Sequence, residues 1–246
     1  MNDEYLLLQK PYEPSCIHIH HQASSLVLSH EVRRIIDEKW EQDMTHAQEH
    51  GKILYNGDIW RLADMYEKQD ALHLIIEVYT FKIRRGLGHM HRHIPEINAP
   101  KNNGLYSNST IKTIDDWYIA VSLSGASMNP YQESFDLVGG IMEASQPLDH
   151  GQSLYNAYLE EFEEETALSR NHISNIILAN MLIDRNKNIC CYFKVDIKLT
   201  RKEVEKLFLN NTDPDIENLI FFKQNEYIEA LNSHPSISKR MIAQLL

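Results

Sequence analysis

Residues 154–168 read Leu-Tyr-Asn-Ala-Tyr-Leu-Glu-Glu-Phe-Glu-Glu-Glu-Thr-Ala-Leu, and five of the six side chains from 160 to 165 are carboxylates. The spacing of apolar residues predicts a helix over Gln152–Leu168. Successive helical residues turn by about 100°, which gathers Glu161, Glu164 and Glu165 on one face. Tyr155, Tyr158, Leu159 and Phe162 form the adjoining apolar stripe that must meet a core, and Glu160 and Glu163 fall towards solvent. A solvated acidic face normally has bases three or four residues away. Residues 154–169 contain no Lys or Arg, and the like-charge pairs 160/164 and 161/165 oppose the helix. Two readings stand: a plain acidic face, or oxygen ligands for a hard divalent cation.

Working outward, a short strand at Phe135–Val138 runs into Gly139-Gly140, Glu143 follows three residues later, and Gly151 precedes the acidic helix. Glycines there let the backbone approach a ligand, and a loop at a helix N-terminus suits phosphate. Further out, periodicity predicts a helix from His30 to Gly51 and two strand pieces, Ile53–Asp58 and Trp60–Met65, about a turn at Asn56-Gly57. A strand follows at Leu72–Phe81, then a loop-rich excursion at His89–Tyr106 and a strand at Trp117–Leu123. Ile176–Asp184 and Ile189–Leu199 read as a hairpin. Thr200 caps a helix to Leu209, with Glu203 completing a capping box. A last strand at Leu219–Phe222 precedes helices at Glu226–Asn232 and Ser236–Leu246. Hairpins outnumber βαβ units, so the expected class is α/β with a mixed sheet covered by helices. The thin apolar content near the start sets residues 1–50 apart as an appendage to a domain at 51–246.

Among 246 residues, 24 Lys and Arg face 35 Asp and Glu, a net charge of −11. That balance argues against a nucleic-acid module, which needs a basic stripe. It admits a polyanionic small substrate only with a cation between substrate and protein. The longest apolar runs fall far short of the ~20 residues of a membrane span. Asp3 and Glu4 stand where a secretory signal carries positive charge, and three Cys make no disulfide framework. The expected location is cytoplasmic. The oligomeric state is left open.

Glu161-Phe-Glu-Glu164-Glu165-Thr-Ala-Leu168, together with Gly139-Gly140-Ile-Met-Glu143, resembles the box of the Nudix hydrolases, which closes on Arg-Glu-U-x-Glu-Glu-x-Gly-U with U aliphatic. The chain departs from that pattern at Gln152 (usually Glu), Glu160 (usually Arg) and Ala167 (usually Gly), and about six extra residues lie within 144–150. It is similar to the UDP-glucose/UDP-galactose diphosphatase branch, which has a lengthened loop and lacks the arginine. Asn56-Gly57-Asp-Ile-Trp60-Arg61-Leu62, Leu74-Ile-Ile-Glu-Val-Tyr79 and the segment from Tyr192 to Val204 carry that likeness.

The resemblance implies a Nudix-type α/β/α sandwich and hydrolysis of a nucleotide-sugar phosphoanhydride to UMP and a sugar 1-phosphate. It implies Mg²⁺ or Mn²⁺ on Glu161 and Glu165, with Glu164 as a further ligand; the general base is not readable, Glu164 and Glu143 being the candidates. Arg61 and Tyr79, in the matched strands, are candidates to grip phosphate and stack on uracil beside Gly139, Gly140 and Glu143; the other reading has Trp60 in the core and Arg61 on the surface of an edge strand. A second reading changes the substrate to ADP-ribose or coenzyme A; a third is a catalytically silent nucleotide-binding protein. Lys82, Arg84 and Arg85 before Gly86-Leu-Gly88 could meet phosphate or be solvated loop charges. The pairs His18/His20 and His89/His91/His93 lack a third metal ligand at suitable spacing and read as ordinary surface or loop histidines. Cys190-Cys191, alternating across a strand, reads as core.

Overall fold

The computed structural model describes residues 7–8, 10–124, 135–184 and 186–233. A 3-10 turn at Pro14–Cys16 leads into β1 (Ile17–His21), α1 (His30–Glu49), β2 (Asp58–Lys68), β3 (Ala71–Thr80) and α2 (Phe81–His93). Then come β4 (Leu105–Lys112), β5 (Tyr118–Leu123), β6 (Phe135–Asp136) and α3 (Gly151–Thr166). The remainder is β7 (Ile173–Ile183), β8 (Ile189–Ile197), α4 (Arg201–Phe208), β9 (Ile216–Phe222) and α5 (Gln224–Ser233). Two mixed sheets form. One has the order β1-β3-β2 with β1 parallel to β3; the other runs β6-β5-β4-β8-β7 with β4 parallel to β8, and β9 pairs with β5.

Period-two alternation on β8 explains the layering. Cys191, Phe193 and Val195 enter the main core with the apolar stripe of α3, while Cys190 and Tyr192 pack with Tyr227 and Leu231 of α5. The larger sheet therefore lies between α3 and α5, the α/β/α sandwich expected. The adjacent cysteines go to opposite faces and are both fully buried. The β7–β8 hairpin, the capping box at Thr200 and Glu203, β9 and α5 form where the pattern places them. The helix expected at Ser236–Leu246 lies outside the described residues. No helix among the described residues is long and apolar enough to cross a membrane.

Two expectations need correction. No strand forms at residues 53–57: Ile53 is 94% exposed, and the Asn56 side chain instead accepts a hydrogen bond from Lys82 N at 2.8 Å. The β2–β3 hairpin closes at Gln69 and Asp70, whose φ of 52° and 62° suit a tight twisted turn. The excursion expected at 89–106 is in part helical, because α2 starts at a Thr80 cap and runs to His93. Gly86 serves close packing within it: a Cβ there would collide with Ile36 of α1. β4 then begins inside the same stretch, at Leu105. The N-terminal segment supplies Leu8, Tyr12, Ile17 and Ile19 to the main core, with β1 hydrogen-bonded along β3.

Candidate active site

The rotation of α3 is set by its aromatic stripe. Tyr155, Tyr158 and Phe162 are fully buried; Tyr158 stacks on Phe193 with ring centroids 4.6 Å apart and donates to Ser109 Oγ at 2.8 Å. Tyr155 donates to Tyr12 O and accepts from Leu178 N, each at 2.6 Å. With that face fixed, Glu161 and Glu165 turn towards Gly139 and Gly140.

Both glycines are required there. Gly139 has φ 148°, and a Cβ on it would overlap the Ser107 carbonyl. Its N–H donates to Glu165 Oε2 at 2.9 Å. A Cβ on Gly140 would fall on the Glu161 carboxylate itself. The backbone at 139–140 is held by Ser107, whose N–H donates to Gly140 O at 2.8 Å. The glycine pair thus seats the two carboxylates against main chain.

Burial pushes the Glu161 carboxyl up to about 7, and Glu164, Glu143, Asp213 and Glu160 add repulsion. Burial also raises Glu165 well above the ordinary carboxylate range. The Gly139 N–H works against that rise, and Glu161, Asp136 and Asp213 reinforce it. Among the described residues no Lys, Arg or His forms an ion pair with Glu161, Glu164 or Glu165. Glu163, on the solvent side, is different: Arg170 binds it at 2.7 Å and holds it below the usual range. As placed, the carboxylates of the acidic patch do not converge within 4.8 Å as a set of three, as mutual repulsion predicts. All-oxygen donors, burial and absent countercharge together fit a hard divalent cation.

Asp213 was not legible from sequence. It sits in the α4–β9 loop, where its N–H donates to Asn211 Oδ1 at 2.6 Å, and Asn211 Nδ2 donates to the carbonyls of Glu164 and Glu165 at 3.2 and 2.9 Å. The loop is therefore tied to the end of the acidic helix. Glu143 and Glu164 are exposed, as a proton-accepting group must be to meet water.

Other expected roles change. The guanidinium of Arg61 is buried in an ion pair with Glu77, and its Nε and Nη2 donate to the carbonyls of Asn102 and Lys101 at 3.0 and 3.1 Å. Buried and held on all three nitrogens, it is not open to a phosphate. Tyr79 is 4% exposed, packs with Ile59, Leu87 and Met90, and donates to Asn102 Oδ1 at 2.8 Å. A ring so enclosed cannot stack on a base. Lys82 and Arg85 join α2 to α1 through Asp37 (2.6 Å) and Asp43 (2.9 Å) rather than meeting a phosphate. The α3 N-terminus is closed too, since a Cβ on Gly151 would overlap Pro14 O and His150 Nδ1 accepts the Ser153 N–H. His89 and His93 lie one helical turn apart on α2, not on a strand.

No family model and no curated protein sequence matches the chain. Among solved structures it is similar to DR0079 from Deinococcus radiodurans, with 12% identity over 58% of this chain and 80% of that one and a TM-score of 0.42. It is also similar to the Nudix domain of Shewanella oneidensis NrtR complexed with ADP ribose (12% identity, 61% and 88% covered, TM-score 0.39). A third is a Caenorhabditis elegans Ap4A hydrolase (10% identity, 58% and 92% covered, TM-score 0.38). Likeness at this level carries no activity across to this chain.

Proposed function

We propose that this chain hydrolyses the phosphoanhydride of a nucleoside diphosphate derivative, with Glu161 and Glu165 holding Mg²⁺ or Mn²⁺. The observation that carries the reading is a pair of half-buried carboxylates, seated on Gly139-Gly140, with no base among the described residues paired to either. A divalent cation bound there neutralises charge on paired phosphates and lowers the pKa of water. The chain's own groups do the rest. Gly139 N–H fixes the Glu165 carboxylate, and Gly140 admits that of Glu161. Glu164, exposed on the same face, takes the proton released by the attacking water, with Glu143 the second candidate for that role. Water oxygen joins one phosphorus, the P–O–P bridge breaks, and its oxygen leaves with the other phosphate.

Within that class, nucleoside diphosphate-sugars, UDP-glucose or UDP-galactose first, are supported by the resemblance over residues 56–62, 74–79 and 192–204 and by the long loop at 144–150. The test is phosphate-coupled turnover on UDP-glucose, ADP-ribose and coenzyme A, each with and without Mg²⁺. Mg²⁺-dependent release of UMP and sugar 1-phosphate is the expected result. Turnover of ADP-ribose or coenzyme A alone replaces the sugar; no turnover on any of the three removes the hydrolase reading.

A further inference from the structure

At the far end of α1 the sequence runs His46-Ala47-Gln48-Glu49-His50-Gly51. One donor atom from each of His46, Glu49 and His50 lies within 4.8 Å of the other two, the one such trio of His, Cys, Asp or Glu among the described residues. We propose that this trio is a second metal site, distinct in chemistry from the acidic patch, which takes a borderline transition-metal ion such as Zn²⁺.

Three observations carry it. The backbone is locked: Gly51, at φ 67°, donates to Gln48 O at 3.1 Å, and Lys52 donates to Ala47 O at 2.8 Å, the paired bonds that fasten a helix end. The ligands therefore stand on a fixed turn. Next, His50 Nδ1 lies 2.8 Å from His46 O. A carbonyl can only accept, so Nδ1 carries a proton and Nε2 is the nitrogen turned to a metal; the same bond orients metal-binding imidazoles generally. Finally, the His46 and His50 rings are 4.2 Å apart, at the negative end of the helix dipole.

Donor atoms around a tetrahedral zinc ion lie roughly 3.4 Å apart, given bonds of about 2.1 Å. The three side chains are exposed, so small rotations close the set. Two imidazoles and a carboxylate favour Zn²⁺, Ni²⁺ or Cu²⁺ over Mg²⁺, and leave one position to water. The carboxylate patch on α3 has the opposite preference.

The experiment is calorimetric titration of Zn²⁺ into the tag-free, chelator-stripped full chain in excess Mg²⁺, with Co²⁺ absorption reporting geometry. One equivalent is expected to bind, with tetrahedral Co²⁺ bands. His46→Ala and His50→Ala should each weaken it by about tenfold or more, Glu49→Gln by less. Gly51→Ala should also weaken it by unfastening the turn, and His73→Ala should leave it unchanged. Circular dichroism checks that each variant is folded. No binding by the parent chain overturns the proposal; so does binding that survives the combined His46→Ala and His50→Ala change, or that is lost with His73→Ala. None of these outcomes depends on turnover.

Discussion

Glu77 on β3 is buried and Glu165 on α3 half-buried; each accepts a backbone N–H, but the charges around them differ in sign. Burial pushes Glu77 up, but the Ser25 N–H, the Gln22 amide, the Ser25 hydroxyl and Arg61 outweigh it and hold the group below the usual range. Glu165 receives one N–H, from Gly139, and otherwise faces Glu161, Asp136 and Asp213. Enclosure alone therefore does not tell a structural carboxylate from a ligand; the sign of its neighbours does. The first region is balanced within the chain; the second is left to a proton or, on the proposed function, to a divalent cation.

The sharpest way to break that contrast is Glu165→Gln. Turnover should fall by several orders of magnitude, while circular dichroism and the melting temperature of the metal-free chain hold or improve because a strained charge is gone. Preserved turnover would sink the metal reading. Next is Arg61→Met, which leaves Glu77 buried and unpaired and should cost about 3–5 kcal/mol in urea unfolding. Adding Glu77→Leu should restore most of that loss. If Arg61→Met instead leaves stability intact and abolishes turnover, Arg61 belongs to the substrate and the contrast fails.

The two regions also predict opposite pH responses in the metal-free protein. Glu161, raised from 4.5 to about 7, binds more protons folded than unfolded, so its contribution is full below 4.5 and is lost as pH rises to about 7. Glu77, lowered, contributes above 4.5 and loses that contribution as pH falls through its folded value. Urea midpoints across this window, with and without Mg²⁺, test both, and Mg²⁺ should abolish only the high-pH loss. The smallest effect expected is from Gly140→Ala: its methyl displaces the Glu161 carboxylate and should raise the Mg²⁺ concentration needed for half-maximal turnover by about tenfold.

Periodicity made α3 readable because its stripe of Tyr155, Tyr158, Leu159 and Phe162 meets one face of the larger sheet. The hairpin of β7 and β8 was readable for a similar reason, since alternation and a polar turn agree. α2 was hidden because Gly86 and three histidines weaken local helix preference, and the packing of Ile36 that repays Gly86 lies fifty residues earlier. The carboxylates of α3 were visible as a charge pattern without bases. The engagement of Arg61 and Tyr79 was not, because Glu77 and Asn102 become their partners only through tertiary contact. Asp213 was invisible likewise, brought in by a loop that no local pattern marks.

One bond reaches beyond the site. The Tyr155 hydroxyl joins the main chain of Tyr12 to α3 across 143 residues of sequence. Closing so long a loop carries an entropic cost, and the bond couples the seat of the acidic helix to the N-terminal segment. Trimming the first sixteen residues, which removes Leu8 and Tyr12 from the core as well as this bond, should accordingly lower both the urea midpoint and the affinity for magnesium.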